Sequence, residues 1–356
     1  MRILHLGPLW FPVSRDAAGG RETWLAGLIG ALEKLGCRNM LLASGDSQTA
    51  GELVPVVPRN LIALMREGVA AEHAYFEQHQ LMLALERADD FDVIHSHLSP
   101  GAFVLSSVPN IGARVLHTQH TPVWRDFQWL VQQRPDLWLS TVSEFQARRL
   151  RESGAQRCFV IHNGVDVASF TFQPRGGDGL VFLGRIEKGK GPDLAVATAR
   201  KLGRPLTLAG PIVDAEFFKT SINPHLGEQI RYIGVVNHEQ KNKLLGDASC
   251  ALLPFRGAEG FGMVSIEAMA CGTPVVALAS GALPEVVEPG VTGYLTNESN
   301  ELSELVLQAA KLDRVQVRAR MAARFDLGVV GRNYLKLYEQ IVAASPASRT
   351  SSARRV

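Results

Sequence analysis

The sequence predicts an α/β protein built from two doubly wound domains, each a parallel sheet covered by helices on both faces. Three observations predict it. At 356 residues the chain has the length of two domains of about 150 residues each. Short apolar or β-branched runs alternate with longer stretches of three- and four-residue apolar spacing, the pattern of right-handed crossovers between parallel strands. The alternation then stops at a breaker-rich segment, 171–179 (Thr-Phe-Gln-Pro-Arg-Gly-Gly-Asp-Gly), and starts again.

In the first half the strand candidates are 2–6, 38–43, 92–96, 113–117, 137–142 and 157–162, with helical patterns over 22–35, 59–88, 99–107, 124–131 and 143–153. His162-Asn163-Gly164-Val165-Asp166 closes this half with turn chemistry. Beyond Gly179, strands are expected at 180–183, 206–208, 230–233, 250–253 and 275–278, and a helix at 193–202. A last amphipathic helix over 329–344 carries Tyr334, Leu337, Tyr338 and Ile341 on one stripe. Residues 345–356 are polar, without periodicity, and are expected to be a disordered tail. The expected domains are 1–166 with 329–344, and 167–328. Two facing sheets of this kind predict a ligand cleft outside the carboxyl ends of their strands.

Composition narrows the function. An apolar fraction of 46% with 20% charged residues excludes wholesale disorder, a fibrous repeat and a disulfide scaffold. The net charge is +2; residues 1–166 hold 15 basic against 17 acidic side chains, and the remainder 22 against 18. Neither half attracts polyanions, so no nucleic-acid partner is expected and any phosphate chemistry must be local. Cys37, Cys158, Cys250 and Cys271 form no C-x-x-C pair and are expected as small buried hydrophobes in a reducing compartment. No signal-peptide core follows Met1-Arg2, and no apolar run approaches the ~18 residues of a membrane span. The expectation is a cytoplasmic enzyme or binding protein.

The sharpest segment is Ala258-Glu259-Gly260-Phe261-Gly262-Met263-Val264-Ser265-Ile266-Glu267. Gly260 and Gly262 bracket a turn before a helix, where glycine permits close backbone approach and the amides of Met263 and Val264 point at an anion. Glu259 precedes that helix and Glu267 lies inside it, so the two carboxylates face different parts of one elongated ligand. A second anchor is Gly184-Arg185-Ile186-Glu187-Lys188-Gly189-Lys190-Gly191. Arg185 follows a buried strand and Lys190 precedes a helix, an arrangement of planar fork and point charge that suits a diphosphate. Gly19-Gly20, opening the first helix, is a weaker phosphate signal. The G-x-G-x-x-G signature is absent after the first strand, which argues against a nicotinamide enzyme.

Eight of the ten histidines precede Asp166. His120 follows a strand end and is a candidate ligand contact; His95 and His97 alternate on one strand. A zinc site from these with His117 or His120 lacks any H-E-x-x-H or cysteine support, and no metal is expected. Asp90-Phe91-Asp92 spells D-x-D but sits where a helix turns into a strand, as a solvated turn does.

Taken together these residues resemble a family 4 retaining glycosyltransferase of the GT-B fold, two facing Rossmann-like domains, and are similar to its short bacterial members. The resemblance runs through most of 1–343. It rests on Gly19-Gly20, Asp92-Val93-Ile94-His95-Ser96-His97, Thr118-Gln119-His120, Val142-Ser143-Glu144, Asn163-Gly164-Val165-Asp166, Arg185 with Lys190-Gly191, and Glu259-x₇-Glu267 with its trailing Cys271-Gly272-Thr273-Pro274. It implies a nucleoside-diphosphate sugar as donor and a hydroxyl-bearing acceptor. Glu267 would hold the ribose, and Glu259 with the amides around Gly260, Phe261 and Gly262 would hold the sugar. Arg185 and Lys190 would bind the diphosphate, assisted by Gly19, Gly20 and the amides of Met263 and Val264. His120 would lie beside the sugar, and the base near Gly234-Val235-Val236.

The implied mechanism needs no metal: cations and helix-end amides stabilise the charge that builds on the leaving diphosphate. Retention could arise through a protein nucleophile or by front-face attack; no carboxylate stands out as a nucleophile, and the resemblance implies the second route. The acceptor side is expected near Trp10, Arg15, Asp16, 59–76 and 124–138. There Trp124, Arg125, Phe127, Trp129 and Arg134 form a mixed aromatic and basic patch for a lipid-borne acceptor at a membrane surface, against the competing and favoured expectation that Phe127 and Trp138 are ordinary core, and a sugar stacked on Trp10 is equally admissible. The competing chemistry on the same fold, a sugar-nucleotide epimerase or phosphorylase, would need an acid and a base around the sugar. His120 and Glu259 are the candidates for that.

Overall fold

A computed structural model describes residues 1–345 apart from Asp16, Ala18 and Ser99. The expected tail beyond Ser345, and Asp16, lie outside the described residues. The chain forms two compact units, one of residues 1–162 together with the chain from Leu327, the other of Asn163–Asp326. The sequence placed these cuts a few residues later, at 166 and 328.

The first unit holds seven strands: β1 (Arg2–Leu6), β2 (Arg38–Ser44), β3 (Glu52–Val57), β4 (Val93–Ser96), β5 (Val115–Gln119), β6 (Trp138–Thr141) and β7 (Arg157–Val160). They lie in the order β3-β2-β1-β4-β5-β6-β7, every neighbouring pair parallel. Both faces of β1 are buried: Ile3 packs with Trp24, Leu28, Leu32, Val330, Tyr334 and Tyr338, while Leu4 and Leu6 pack with Leu42, Ile94 and Leu81. The stripe read from the last helix is the buried face of Leu327–Ala344.

β3 is the element the pattern hid. Its Pro55 removes a ladder donor, which an edge strand tolerates and a central strand does not. The long helix expected over 59–88 is two, Leu61–Arg66 and His73–Arg87. Asn60 caps the first by accepting from Ala63 N–H at 3.0 Å. The segment expected as helix at 99–107 is a 3₁₀ helix over Gly101–Ser107.

The second unit holds six strands, β8 (Leu180–Leu183), β9 (Leu206–Ala209), β10 (Ile230–Tyr232), β11 (Cys250–Leu253), β12 (Val275–Leu278) and β13 (Gly293–Thr296). The order is β10-β9-β8-β11-β12-β13, again parallel throughout. Phe182, Leu208, Leu252, Ile266, Val276 and Val306 are buried around it. The short edge strand β13 was not marked in the sequence. In both units the strand order reverses direction beside the first strand, β1 or β8, which places the functional loops at the strands' carboxyl ends. All four cysteines are free thiols, three buried and Cys158 half-buried.

Candidate active site

Within the second unit, the loops after β8, β11 and β12 are tied together. Arg256 N–H and Gly257 N–H both donate to Gly189 O, at 2.9 and 3.1 Å. The Arg256 guanidinium forks onto Asp193 at 2.6 and 2.7 Å, and Ser280 Oγ donates to Gly257 O at 2.6 Å. These contacts carry Lys190 to Glu259: the two form an ion pair with side chains only 22% and 17% exposed. The Lys190 ammonium also stands 4.5 Å over the Phe255 ring. Arg185 is exposed at the end of β8 and pairs with Glu187 at 2.8 Å. Lys188 is exposed, as a solvent-facing lysine should be.

Glu259 is fixed by its backbone. Ala282 N–H donates to Glu259 O at 2.8 Å. Gly281, at φ 58°, passes so close that a Cβ there would stand 2.1 Å from that same oxygen. Gly281→Ala is therefore expected to lower transfer activity well below Gly290→Ala. Both change a left-handed glycine, a cost of about 1–2 kcal/mol, but Gly290 (φ 77°) has nothing within 4 Å. Equal activities in the two variants would remove the clamp from the account.

Gly262 caps the helix Met263–Ala270 in a left-handed conformation, φ 88°, and that helix start leaves its first amides without intrahelical partners. Phe261 is buried, edge-on to Phe325 at 5.8 Å. Glu267 pairs with Lys241, which reaches over from the helix His238–Asp247 and lies 5.8 Å from the Phe170 ring. No spacing signal marks Lys241 in the sequence, because the pair joins two helices. Val235 is 71% exposed beyond β10, after Gly234, whose carbonyl accepts from Gly210 N–H at 2.8 Å.

In the first unit, Gly19 caps the helix Gly20–Lys34. The Glu22 carboxylate folds back on it, 1.9 Å from where a Gly19 Cβ would stand, and is buried. The positive end of that helix thus already carries an acid; Gly20 is open, with nothing within 4 Å of its missing Cβ.

His5, His95 and His97 cluster with ring nitrogens within 4.8 Å of one another. His117 points to the opposite face and bonds Ser106 Oγ at 2.8 Å, so the trio differs from the one read in the sequence. Every nitrogen of the trio has a protein partner. His95 meets Tyr338 Oη at 2.7 Å and Thr118 Oγ1 at 2.6 Å; His5 meets Asn39 Oδ1 and His97 meets His120 Nε2 at 3.0 and 3.2 Å; His5 and His97 meet each other at 3.3 Å. Burial lowers the His120 pKa to about 3, with the Arg21 cation adding to the effect. A ring so reluctant to take a proton is a poor general base at neutral pH, which disfavours the epimerase chemistry.

The aromatic segment after β5 is split, and Phe127 leaves the expected patch for the core. Trp124 and Trp129 are 67% and 61% exposed, whereas Phe127 stacks on Phe103 at 5.1 Å and Trp138 is buried under Arg157. Of the D-x-D residues, Asp92 accepts from Arg2 N–H at 2.7 Å, joining β1 to the approach to β4.

Two family models match the chain. "Glycosyltransferase Family 4" matches residues 18–169 and "Glycosyl transferases group 1" residues 173–325. A phosphatidyl-myo-inositol mannosyltransferase of Mycolicibacterium smegmatis is 27% identical, over 96% of this chain and 95% of the relative. Among solved structures, AviGT4, a glycosyltransferase involved in avilamycin A biosynthesis, superposes with a TM-score of 0.72 at 24% identity, covering 96% of this chain and 98% of that one. Anabaena Alr3699/HepE in complex with UDP and glucose gives 0.73 at 18% identity, covering 96% and 100%. A chain with these two sheets and these matches is a glycosyltransferase of the two-Rossmann GT-B fold. More narrowly, it belongs to the family 4 glycosyltransferases. Among the described residues no helix is long and apolar enough to cross a membrane.

Proposed function

We propose that this enzyme moves a hexose-type sugar from a nucleoside-diphosphate sugar to a hydroxyl acceptor, with retention at the anomeric carbon and without a metal ion. The observation that carries the reading is the pairing of Lys190 with Glu259 on loops held together by Gly189, Arg256 and Asp193. Before a donor arrives, each neutralises the other. The incoming diphosphate takes Lys190, and Glu259 is released to accept from sugar hydroxyls. Arg185, exposed and paired with Glu187, closes on the same diphosphate with its planar fork. The amides of Met263 and Val264 add the dipole of their helix.

As the anomeric bond breaks, charge moves onto the leaving diphosphate, and these groups bind it more tightly than they bind the ground state. The leaving phosphate then accepts the proton of the attacking hydroxyl on the same face of the sugar. Glu267 accepts from the ribose hydroxyls once Lys241 shares it, and His120 accepts from a hydroxyl of the sugar. The first acceptors to assay are inositol lipids, on the example of the mycobacterial relative. Exposed Trp124 and Trp129 beside Arg125 offer a surface for a lipid-borne acceptor.

A nucleotide screen by thermal shift tests the donor half. The matching ribonucleoside diphosphate is expected to stabilise the native state by about 2.7 kcal/mol at a hundredfold excess over Kd, and Glu267→Ala is expected to abolish that shift. An undiminished shift in the variant would reject the ribose assignment. Product stereochemistry by NMR, measured in enzyme stripped of divalent ions, tests the rest: an inverted product, or activity restored only by added metal, would reject the mechanism.

A further inference from the structure

Three histidines of the first unit, His5, His97 and His120, form a hydrogen-bonded line. It crosses four neighbouring strands of the sheet: Asn39 on β2, His5 on β1, His97 just beyond β4 and His120 just beyond β5. Glu33, on the helix Gly20–Lys34, stands at the far end. Both the backbone N–H and the Nδ2 of Asn39 donate to Glu33 Oε1, each at 2.8 Å. A carboxylate only accepts, so the Asn39 amide has one orientation, with Oδ1 toward His5 Nε2 at 3.0 Å.

That orientation sets the rest in sequence. An amide oxygen only accepts, so His5 carries its ring proton on Nε2 and a lone pair on Nδ1. His97 Nε2, 3.3 Å away, must then be the donor, which leaves His97 Nδ1 with a lone pair. His120 Nε2, 3.2 Å from it, must donate in turn. The rings are neutral: burial lowers the His5 pKa to about 4 and that of His97 well below its ordinary value. His95 does not join the line; its two nitrogens are taken by Tyr338 and Thr118.

We propose that Glu33, acting through Asn39, His5 and His97, fixes His120 in the tautomer whose Nδ1 keeps a lone pair, so that His120 meets a substrate hydroxyl as a hydrogen-bond acceptor. Glu33, Asn39, His5 and His97 are positioning residues. The line has only one other self-consistent state. If the amide turned over, Asn39 Nδ2 would donate to His5 Nε2, all three ring protons would sit on Nδ1, and His120 would present a donor. No proton is gained or lost between the two states; each ring keeps one and only its place changes. The tautomer claim stands on the first unit alone, while its use on a sugar hydroxyl rests on the role proposed for His120.

The test is long-range ¹H–¹⁵N correlation on the full chain labelled at histidine, without ligand. His5, His97 and His120 are each expected with a protonated Nε2 and a bare Nδ1; His120 protonated on Nδ1 in the wild-type spectrum would overturn the relay without any variant. Glu33→Lys replaces the acceptor by a donor and is expected to reverse all three tautomers, whereas Glu33→Gln, whose side-chain oxygen still accepts, is expected to keep them. A folded Glu33→Lys protein with unreversed tautomers would also overturn the relay. With reversal, kcat/KM for transfer is expected to fall roughly tenfold, the loss of one hydrogen bond and the facing of two donors. Reversal with unchanged transfer would instead reject the assignment of His120 to a substrate hydroxyl and leave the relay standing.

Discussion

Lys190→Ala is expected to lower kcat for sugar transfer by about 10²–10³, the loss seen when one preorganised group facing developing charge is removed. The ammonium is a point charge at a largely desolvated site, 22% exposed, where its effect on a departing diphosphate is screened less than at an open surface. Removing it also leaves Glu259 as an unpaired carboxylate beside an incoming polyanion, so donor affinity falls as well. Lys190→Arg should recover part of the rate, because the charge returns with a different reach. Arg185→Ala is expected to fall in the same range of kcat with less effect on stability, since its side chain is 57% exposed and pairs at the surface with Glu187. Single-turnover rates with a saturating donor check both. A Lys190→Ala enzyme that transfers sugar at the wild-type rate would mean the diphosphate is neutralised elsewhere.

The second large effect is on stability. Arg314 is buried, and its guanidinium donates to Gln173 O at 2.7 Å, to Ala248 O and Gly246 O at 2.8 Å and to Thr273 Oγ1 at 2.5 Å. One planar fork thus collects carbonyls from the chain entering the second unit and from the turn before β11, together with a hydroxyl from the turn before β12. Arg314→Ala deletes the donors and leaves the three carbonyls buried without them, at about 1–3 kcal/mol for each that stays dry, while Thr273 Oγ1 keeps its bond to Leu245 O. The expected loss is about 3–5 kcal/mol, the range of the severest single substitutions. Arg314→Lys keeps the charge but offers one compact ammonium in place of a fork, and should recover less than half of it. Urea unfolding followed by a probe in the second unit checks this. A shift in midpoint no larger than that of Lys243→Ala, an exposed surface lysine paired with Asp247, would refute the account.

The buried strands were legible in the sequence because each is apolar on both faces; Leu180-Val181-Phe182-Leu183 and Cys250-Ala251-Leu252-Leu253 admit little else. The edge strands were not. β3 contains a proline and two exposed residues, and β13 is half-solvated, so neither carries the signal that burial writes. The break in the helix pattern over 59–88 lies at Gly68, with φ 72°, in a run whose flanking residues keep helical spacing. For the site, Glu259 and Glu267 were legible because they share a turn and a helix, and Arg185 and Lys190 because they share a loop. Their pairings were not: Lys190 meets Glu259 across 69 residues and Lys241 meets Glu267 across 26. The line from Glu33 to His120 was hidden for the same reason. The order of strands in the sheet sets Asn39, His5, His97 and His120 next to one another; only the Glu33–Asn39 contact is local.

The central claim is that side-chain cations and helix-end amides, in place of a divalent ion, neutralise the departing diphosphate. A crystal structure of the enzyme with the nucleoside diphosphate that stabilises it tests this most directly. The account predicts phosphate oxygens within about 3 Å of the Arg185 guanidinium, the Lys190 ammonium and the amides of Met263 or Val264, with Glu259 turned away from Lys190. Phosphates bridged to carboxylates by a metal ion, or bound away from both cations with the Lys190–Glu259 pair intact, would contradict it.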